Sequence, residues 1–381
     1  GLKTLDSTLE QRPSGRSFLP DALKAAGCIL IVLHHLAFYG PMSDVVMLAW
    51  PTLIGGFYDQ GRLAVQVFLV CAGFLMAAAL TPPQLLGGSQ AMKMAWGRYM
   101  RLVIPLLAAL SVTVLLTEYL RADHSVSHLS ATPDWPTALA HLLLLQHVVG
   151  IEALSAGIWY VAIDFQLYCI ALLTMLGASK LVQRYPGLNL DKVRGQLWLG
   201  LSLVSLIVWN LNEDLDDYGV YFFGSYGMGM LAYGARQSRI GLKGWWVLVA
   251  LGLFVLWVDP RWRIATAWGC ALLLAAAPQY LFSGEMLSLR MRHAVQWLSG
   301  VSYSVFLIHY PVSLVVSAVV TAYWPEELTA NAMGMAVSLL MSVWTGHGLN
   351  RLTERQPQNI RHLSVWSLIF MASVALAMSG S

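Results

Sequence analysis

Apolar residues fill this chain in long unbroken blocks, and the polar and charged positions collect in the short stretches between them. Blocks of this kind lack the strict alternation of barrel strands, so they predict helices that satisfy their own backbone groups inside lipid. The apolar pattern places spans at about 22 to 39, 62 to 80, 99 to 120, 157 to 177, 196 to 210, 219 to 234, 243 to 258, 264 to 279, 296 to 322, 331 to 349 and 364 to 380. A span needs roughly 20 residues to cross a hydrocarbon core of about 30 Å, and the shorter blocks rely on their flanks. The fold class expected is all-α: a polytopic integral membrane helical bundle of about 10 to 11 transmembrane helices.

Composition agrees. Of 381 residues, 57% are hydrophobic and only 11% charged, and the mean hydropathy is +0.61. That leaves too little polar surface for a soluble enzyme or a nucleic-acid binder. Charge placement then orients the chain. Lys3, Arg12, Arg16, Lys24, Lys93, Arg98, Arg101, Lys180, Arg184, Arg236, Arg239, Arg351, Arg355 and Arg361 fall on one side of the proposed membrane, as do most of the 23 lysines and arginines. Glu213, Asp214, Asp216 and Asp217 fall on the other. The positive-inside rule makes the N-terminus cytoplasmic. Residues 1–21 then read as a cytoplasmic polar tail and not a cleavable signal, and 22–381 as a single membrane domain. Cys28, Cys71, Cys169 and Cys270 each sit inside an apolar block without pair spacing, so neither a disulfide framework nor a metal site is expected. The longest outer connection, 121–156, holds Asp123, His124, His128 and Asp134. Its apolar stretch 138–150, too short for an ordinary span, reads either as a re-entrant segment or as a helix lying on the outer surface.

Polar residues inside the blocks carry the candidate chemistry. His35 stands about 16 Å along a helix from Lys24, near mid-membrane, where a neutral imidazole is affordable and can act as a general base. The adjacent His34 points about 100° away and suits packing. Counted from Gly157, Asp164 lies about 10 Å into the bundle, a depth similar to that of His35, so it is the carboxylate expected to orient that imidazole, with Gln166 and Tyr168 extending the network. Arg98 and Arg101 share one helix face at the inner end of the third span, beside the level of Lys24; they serve either as membrane anchors or as donors to an anionic cytoplasmic ligand. Ser302, Tyr303 and His309 interrupt a late apolar helix ahead of Pro311, and contact with substrate and packing stand equally open for them. Gln66 precedes the Phe68–Leu75 segment and points to the same network. His347, Asn350 and Arg351, near the inner end of their helix, read as interfacial anchors, with a donor-side contact as the alternative.

Taken in order, these stretches resemble the membrane acyltransferase-3 family. Lys24 and His35 match its Arg, ten residues, His element with lysine for arginine. Phe68–Leu75 is similar to its Ser-Gly-Phe-Leu segment with Ala72 for serine. Arg98 and Arg101 match its Arg-x-x-Arg, Trp159–Tyr168 its Trp-to-Tyr element with Asp164 for glutamate, and Ser302, Tyr303, His309 and Pro311 its late Ser-Tyr and His-x-Pro element. The resemblance implies the stand-alone form of the family, multi-pass in a bacterial inner membrane. It implies a cytoplasmic acyl-coenzyme A donor, acetyl-coenzyme A above all, with its phosphates near Lys24, Arg98 and Arg101, and a hydroxyl of an extracytoplasmic or lipid-linked glycan as acceptor. His35 is then the catalytic base and Asp164 its orienting carboxylate, with Gln66, Gln166, Tyr168, Ser302, Tyr303 and His309 as substrate contacts and no metal. A glycan or lipid-precursor transporter, which would use buried polar groups for passage and not chemistry, is the competing reading.

Overall fold

The computed structural model of the chain describes residues 17–81, 83–122, 126, 129–237 and 242–380. Its helices are α1 (Phe18–Phe38), α2 (Met42–Ala49), α3 (Pro51–Gln60), α4 (Ala64–Ala79), α5 (Gly88–Arg121), α6 (Trp135–Leu142), α7 (Trp159–Arg184), α8 (Leu190–Ile207), α9 (Gly219–Gln237), α10 (Leu242–Val258), α11 (Trp262–Ala276), α12 (Gln279–Ser283), α13 (Leu289–Tyr323), α14 (Leu328–Leu352) and α15 (Ile360–Ser379). A long helix occupies each of the predicted intervals. Seven rods are long and apolar enough to cross a membrane: α1, the continuous run Pro51–Ala79, α5, α7, α13, α14 and α15. α10 and α11 are apolar but shorter, and α8 opens with Asp191, Lys192 and Arg194. The protein is thus an all-α polytopic membrane bundle in which seven helices, among the described residues, meet the length and apolarity of a span, against the ten to eleven expected.

The bundle has two packed halves. In one, α9 is gripped by α4, α8, α10 and α11, and the tightest crossing is glycine-made: a Cβ on Gly73 would overlap the carbonyl oxygen of Tyr226, and one on Gly229 would overlap that of Val70. Only glycine lets two helix backbones approach so closely. In the other half, α1 packs on α13, and α13 on α14 and α5. α1 starts at Phe18, upstream of the expected 22, because Asp21 is buried and accepts a hydrogen bond from Ser299 of α13 at 2.7 Å.

Between α5 and α7 the chain descends into the bundle. Arg121, at the end of α5, donates to the Ser130 carbonyl at 2.6 Å, whereas Tyr99, some 33 Å of helix rise further down the same helix, donates to the Leu142 carbonyl at 2.6 Å. α6 therefore runs down beside α5, which favours the re-entrant alternative over a helix lying on the surface. His141 pins the turn: its Nδ1–H donates to the Thr137 carbonyl at 2.8 Å and its Nε2 accepts from the Leu154 amide at 3.1 Å. The chain then reaches Gly157, whose φ of +78° only glycine adopts without strain. Asp123, His124 and His128 of this connection, and Lys3, Arg12, Arg16 and Arg239, lie outside the described residues.

Candidate functional site

α1, α4, α5, α7, α9 and α13 enclose a cavity of about 560 Å³. Lys24, Arg98 and Arg101 line it, and so do two carboxylates, Asp164 and Glu354; its apolar walls include Phe68, Tyr160 and Phe306. Arg98 is not a free cation. Its Nε and Nη2 both donate to Asp164 Oδ1, at 3.0 and 2.6 Å, and its guanidinium lies 5.5 Å from the centre of the Tyr168 ring. Arg101 carries no such partner among the described residues and is exposed. Arg101 thus lends its charge to the cavity, whereas Arg98 is largely compensated by its carboxylate; Lys24 is the third cation in the lining.

One wall away is a pair of histidines. His35 Nδ1 and His309 Nε2 are 2.8 Å apart, and the ring planes are nearly parallel, 10° apart, with centroids separated by 4.8 Å. His309 is buried, and its Nδ1 faces the Phe306 carbonyl at 2.5 Å. A carbonyl can only accept, so that nitrogen carries the proton. His309 Nε2 is then a lone pair that accepts the Nδ1–H of His35, and the chain of bonds leaves the lone pair of His35 on Nε2. The tautomer of the candidate base is dictated by a backbone carbonyl two bonds away.

Neither histidine is in the lining of the cation-bearing cavity, but neighbours of the pair line that cavity and a second one. Phe306, whose ring centre is 5.9 Å from that of His309, lines the cation-bearing cavity. On the other side, Tyr39, 5.9 Å from His35 between ring centres, and Gly157 line a second cavity of about 540 Å³. A Cβ on Gly157 would stand 3.0 Å from His35 Cε1 and from Phe306 Cζ, so glycine there leaves the imidazole its room.

The expected pairing of His35 with Asp164 is corrected by these contacts: His309 partners His35, and Arg98 partners Asp164. The depth count assumed that α7 begins at the membrane surface. Because the re-entrant connection delivers the chain to Gly157 already at the level of His35, Asp164 lies about 10 Å beyond it along α7. Other candidates separate in the same way. Tyr168, Ser302 and Tyr303 do line the cation-bearing cavity with Lys24, Arg98 and Arg101. Yet Tyr303 commits its hydroxyl proton to the Leu102 carbonyl at 2.7 Å, and Ser302 bonds back to the Ser299 carbonyl at 2.7 Å. Gln166 accepts from the Gly219 amide at 2.6 Å and joins α7 to α9, away from the cavity. Gln66 accepts from Ser225 at 2.5 Å and borders a different cavity. His34 is held by the Phe57 carbonyl at 3.1 Å. Asn350 bridges the Gly300 carbonyl and Glu354 at 3.2 and 2.8 Å. Glu354 itself, which also accepts from Ser304, was not singled out from sequence: a charge just past a helix end reads as an anchor.

A family model described as an acyltransferase domain matches residues 19–347. The chain belongs to the membrane acyltransferase-3 family. The match spans α1 through most of α14 and so includes both histidines, the Arg98–Asp164 pair and every named residue of the central cavity except Glu354. No curated protein and no solved structure is a significant match to the chain. This acyltransferase therefore combines a general group-transfer activity with a membrane bundle that holds a cationic cavity and an imidazole pair side by side. Among the described residues no group of three or more histidine, cysteine, aspartate or glutamate side chains is arranged to hold a metal ion.

Proposed function

We propose that this protein is an O-acyltransferase of a bacterial inner membrane that moves an acyl group, acetyl being the best fit to the resemblance, from cytoplasmic acyl-coenzyme A to a hydroxyl of a glycan presented at the opposite face. The observation that carries this reading is that Phe306, packed on the His35–His309 pair, lines the cavity bearing Lys24, Arg98 and Arg101, while Gly157, against His35, lines a second cavity.

The residues present suit the donor. Arg101 and Lys24 offer charge to phosphates, and the aromatic walls of Phe68, Tyr160 and Phe306 suit an uncharged pantetheine arm. Acyl-coenzyme A supplies the thioester carbonyl. His35 Nε2 takes the proton of the acceptor hydroxyl as its oxygen bonds to that carbonyl carbon. The carbon–sulfur bond breaks, and the proton leaves with the thiol. His309 holds the imidazole in the tautomer that makes this possible and shares the charge of the imidazolium through the bond between the rings. Asp164 acts on the donor side, fixing the guanidinium of Arg98.

The reading is tested with pure protein in detergent micelles, labelled acetyl-coenzyme A and a panel of bacterial glycans. Labelled glycan and free coenzyme A in the absence of any gradient are expected. Thioester that stays intact with every acceptor would overturn the assignment and favour a transport role, since net transport needs a sealed membrane.

A further inference from the structure

Beyond the cavity against Gly157 lies another, of about 340 Å³, formed by α4, α7, α9 and the loops ahead of α9 and α11. The two are neighbours, because His147, Trp159 and Asp217 line both. Small-molecule sites run to roughly 300–1,000 Å³, so each has the size of a ligand subsite. The lining of the further cavity is mixed in an unusual way for a membrane bundle. Trp159 and Phe222 present aromatic rings 5.5 Å apart between centres, and Tyr221 adds a third. Around these stand two arginines, Arg62 and Arg263, and two carboxylates, Asp216 and Asp217. Among the described residues, neither arginine is ion-paired with either carboxylate; Arg263 donates to the Tyr221 hydroxyl at 3.3 Å, and Arg62 and Asp216 are exposed at the mouth of the cavity. At the junction of the two cavities the Nδ1 of His147 is buried without a hydrogen-bond partner among the described residues. Charges of both signs held apart around aromatic faces, with an unmatched imidazole nitrogen between them, leave strong donors and acceptors to be met by something that enters.

A pyranose is what meets them. Its ring face is a plane of C–H groups that lies against an aromatic ring, and its rim is hydroxyls that donate to carboxylates and accept from guanidinium and imidazole N–H groups. A lipid chain has no group that bonds to these charged side chains, and a folded protein could not enter. We propose that these joined cavities form an extended saccharide groove, with one sugar beside Gly157 and His35 and the next on Phe222 between Asp216 and Arg263, so that the acceptor recognised is at least a disaccharide. The proposal rests on the acyltransferase reading above and adds to it which residues select the acceptor and how long the acceptor must be. Phe222 and Asp216 line the further cavity and not the one beside Gly157, so their binding energy is felt as selection among acceptors and not in the chemistry of the thioester.

The test compares acyl transfer from labelled acetyl-coenzyme A to mono-, di- and tetrasaccharides of glucose, galactose, rhamnose and N-acetylglucosamine, using the full-length protein in detergent. In at least one series kcat/KM should rise by tenfold or more from mono- to disaccharide and then level off. Phe222→Ala and Asp216→Asn should erase that rise while leaving transfer to the monosaccharide within about twofold, and Phe222→Tyr should restore much of it. Since Asp216→Asn keeps size and sits in a loop, it serves even if Phe222→Ala folds poorly. Equal kcat/KM for mono- and disaccharides in every reactive series, or a chain-length rise that survives both substitutions, would overturn the groove while leaving the acyltransferase reading intact. No transfer to any acceptor would instead remove that reading, and the groove with it.

Discussion

Arg98 Nη2 lies 2.6 Å from Asp164 Oδ1, and the two side chains face the central cavity while Tyr168 stands beside the guanidinium. The Asp164 side chain is 8% and the Arg98 side chain 29% exposed, so removing one partner strands a mostly desolvated charge. Loss of one member of such a pair destabilises by about 3–5 kcal/mol, whereas replacing both is far milder. Asp164→Asn and Arg98→Ala should each lower the unfolding midpoint in detergent, and the double variant should recover much of the loss. Strict additivity in this double-mutant cycle would mean that the pair is not coupled.

Donor binding is expected to draw on Arg101, which carries no ion pair among the described residues. Arg101→Ala should weaken coenzyme A binding, measured by calorimetry, by roughly tenfold, the equivalent of one charge-assisted hydrogen bond or about 1.5 kcal/mol. Arg101→Lys should recover part of it. Unchanged affinity in Arg101→Ala would move the phosphates elsewhere.

The tautomer argument predicts a graded series at His309. Alanine there removes the acceptor for the His35 Nδ1–H, and kcat should fall by about 10²-fold or more with little change in donor KM. Glutamine, whose side-chain oxygen can accept the same hydrogen bond, should recover part of the loss. A KM effect without a kcat effect would make His309 a substrate contact, as the sequence alone allowed.

His141 offers a pH test outside the spanning helices. Burial lowers its pKa to about 4 from the ordinary 6.5, against the opposing pull of the Thr137 carbonyl. On acidification the unfolded chain therefore takes up the proton first. The stability from keeping this ring neutral is fully present above about pH 6.5 and is lost as the pH falls toward 4, a swing on the order of 3 kcal/mol. Thermal melts between pH 7 and 4.5 should drop less steeply for His141→Phe than for the parent, from a lower starting midpoint. Parallel curves would show that His141 does not pin the descending segment.

Two glycine substitutions test the α4–α9 crossing. Gly73→Ala and Gly229→Ala should each destabilise by about 1–3 kcal/mol or more, because the added methyl meets a backbone carbonyl that cannot turn aside. Gly177→Ala, where a Cβ meets nothing within 4 Å, should be neutral or slightly stabilising. Detergent melting of the three variants is the measurement.

Much of the fold was legible because lipid leaves few choices: apolar blocks must be helices, and each block became one. The number that qualify as spans was less so, since α8 through α11 are short or carry charge and their burial depends on packing around α9. For the site, the intramembrane histidines and Asp164 stood out as polar groups where polar groups are expensive. Their partners did not. Depth counted by helix rise fails when a chain enters a helix from within the bundle, as it does at Gly157, and that error paired His35 with the wrong residue. Glu354 escaped notice, and His147, Trp159 and Asp217 drew no site role of their own, because they lie at helix ends and in loops, where charges and aromatic rings are expected as membrane anchors. Their meaning comes only from the cavities they share.

The central claim is that the lone pair on His35 Nε2 activates the acceptor hydroxyl. Purified His35→Ala protein, assayed with labelled acetyl-coenzyme A and an acceptor active with the parent, tests it most directly when coenzyme A affinity is measured on the same sample. The account predicts affinity within about twofold of the parent and acyl transfer reduced by about 10²- to 10⁴-fold. Full transfer by a variant that binds donor normally would contradict it.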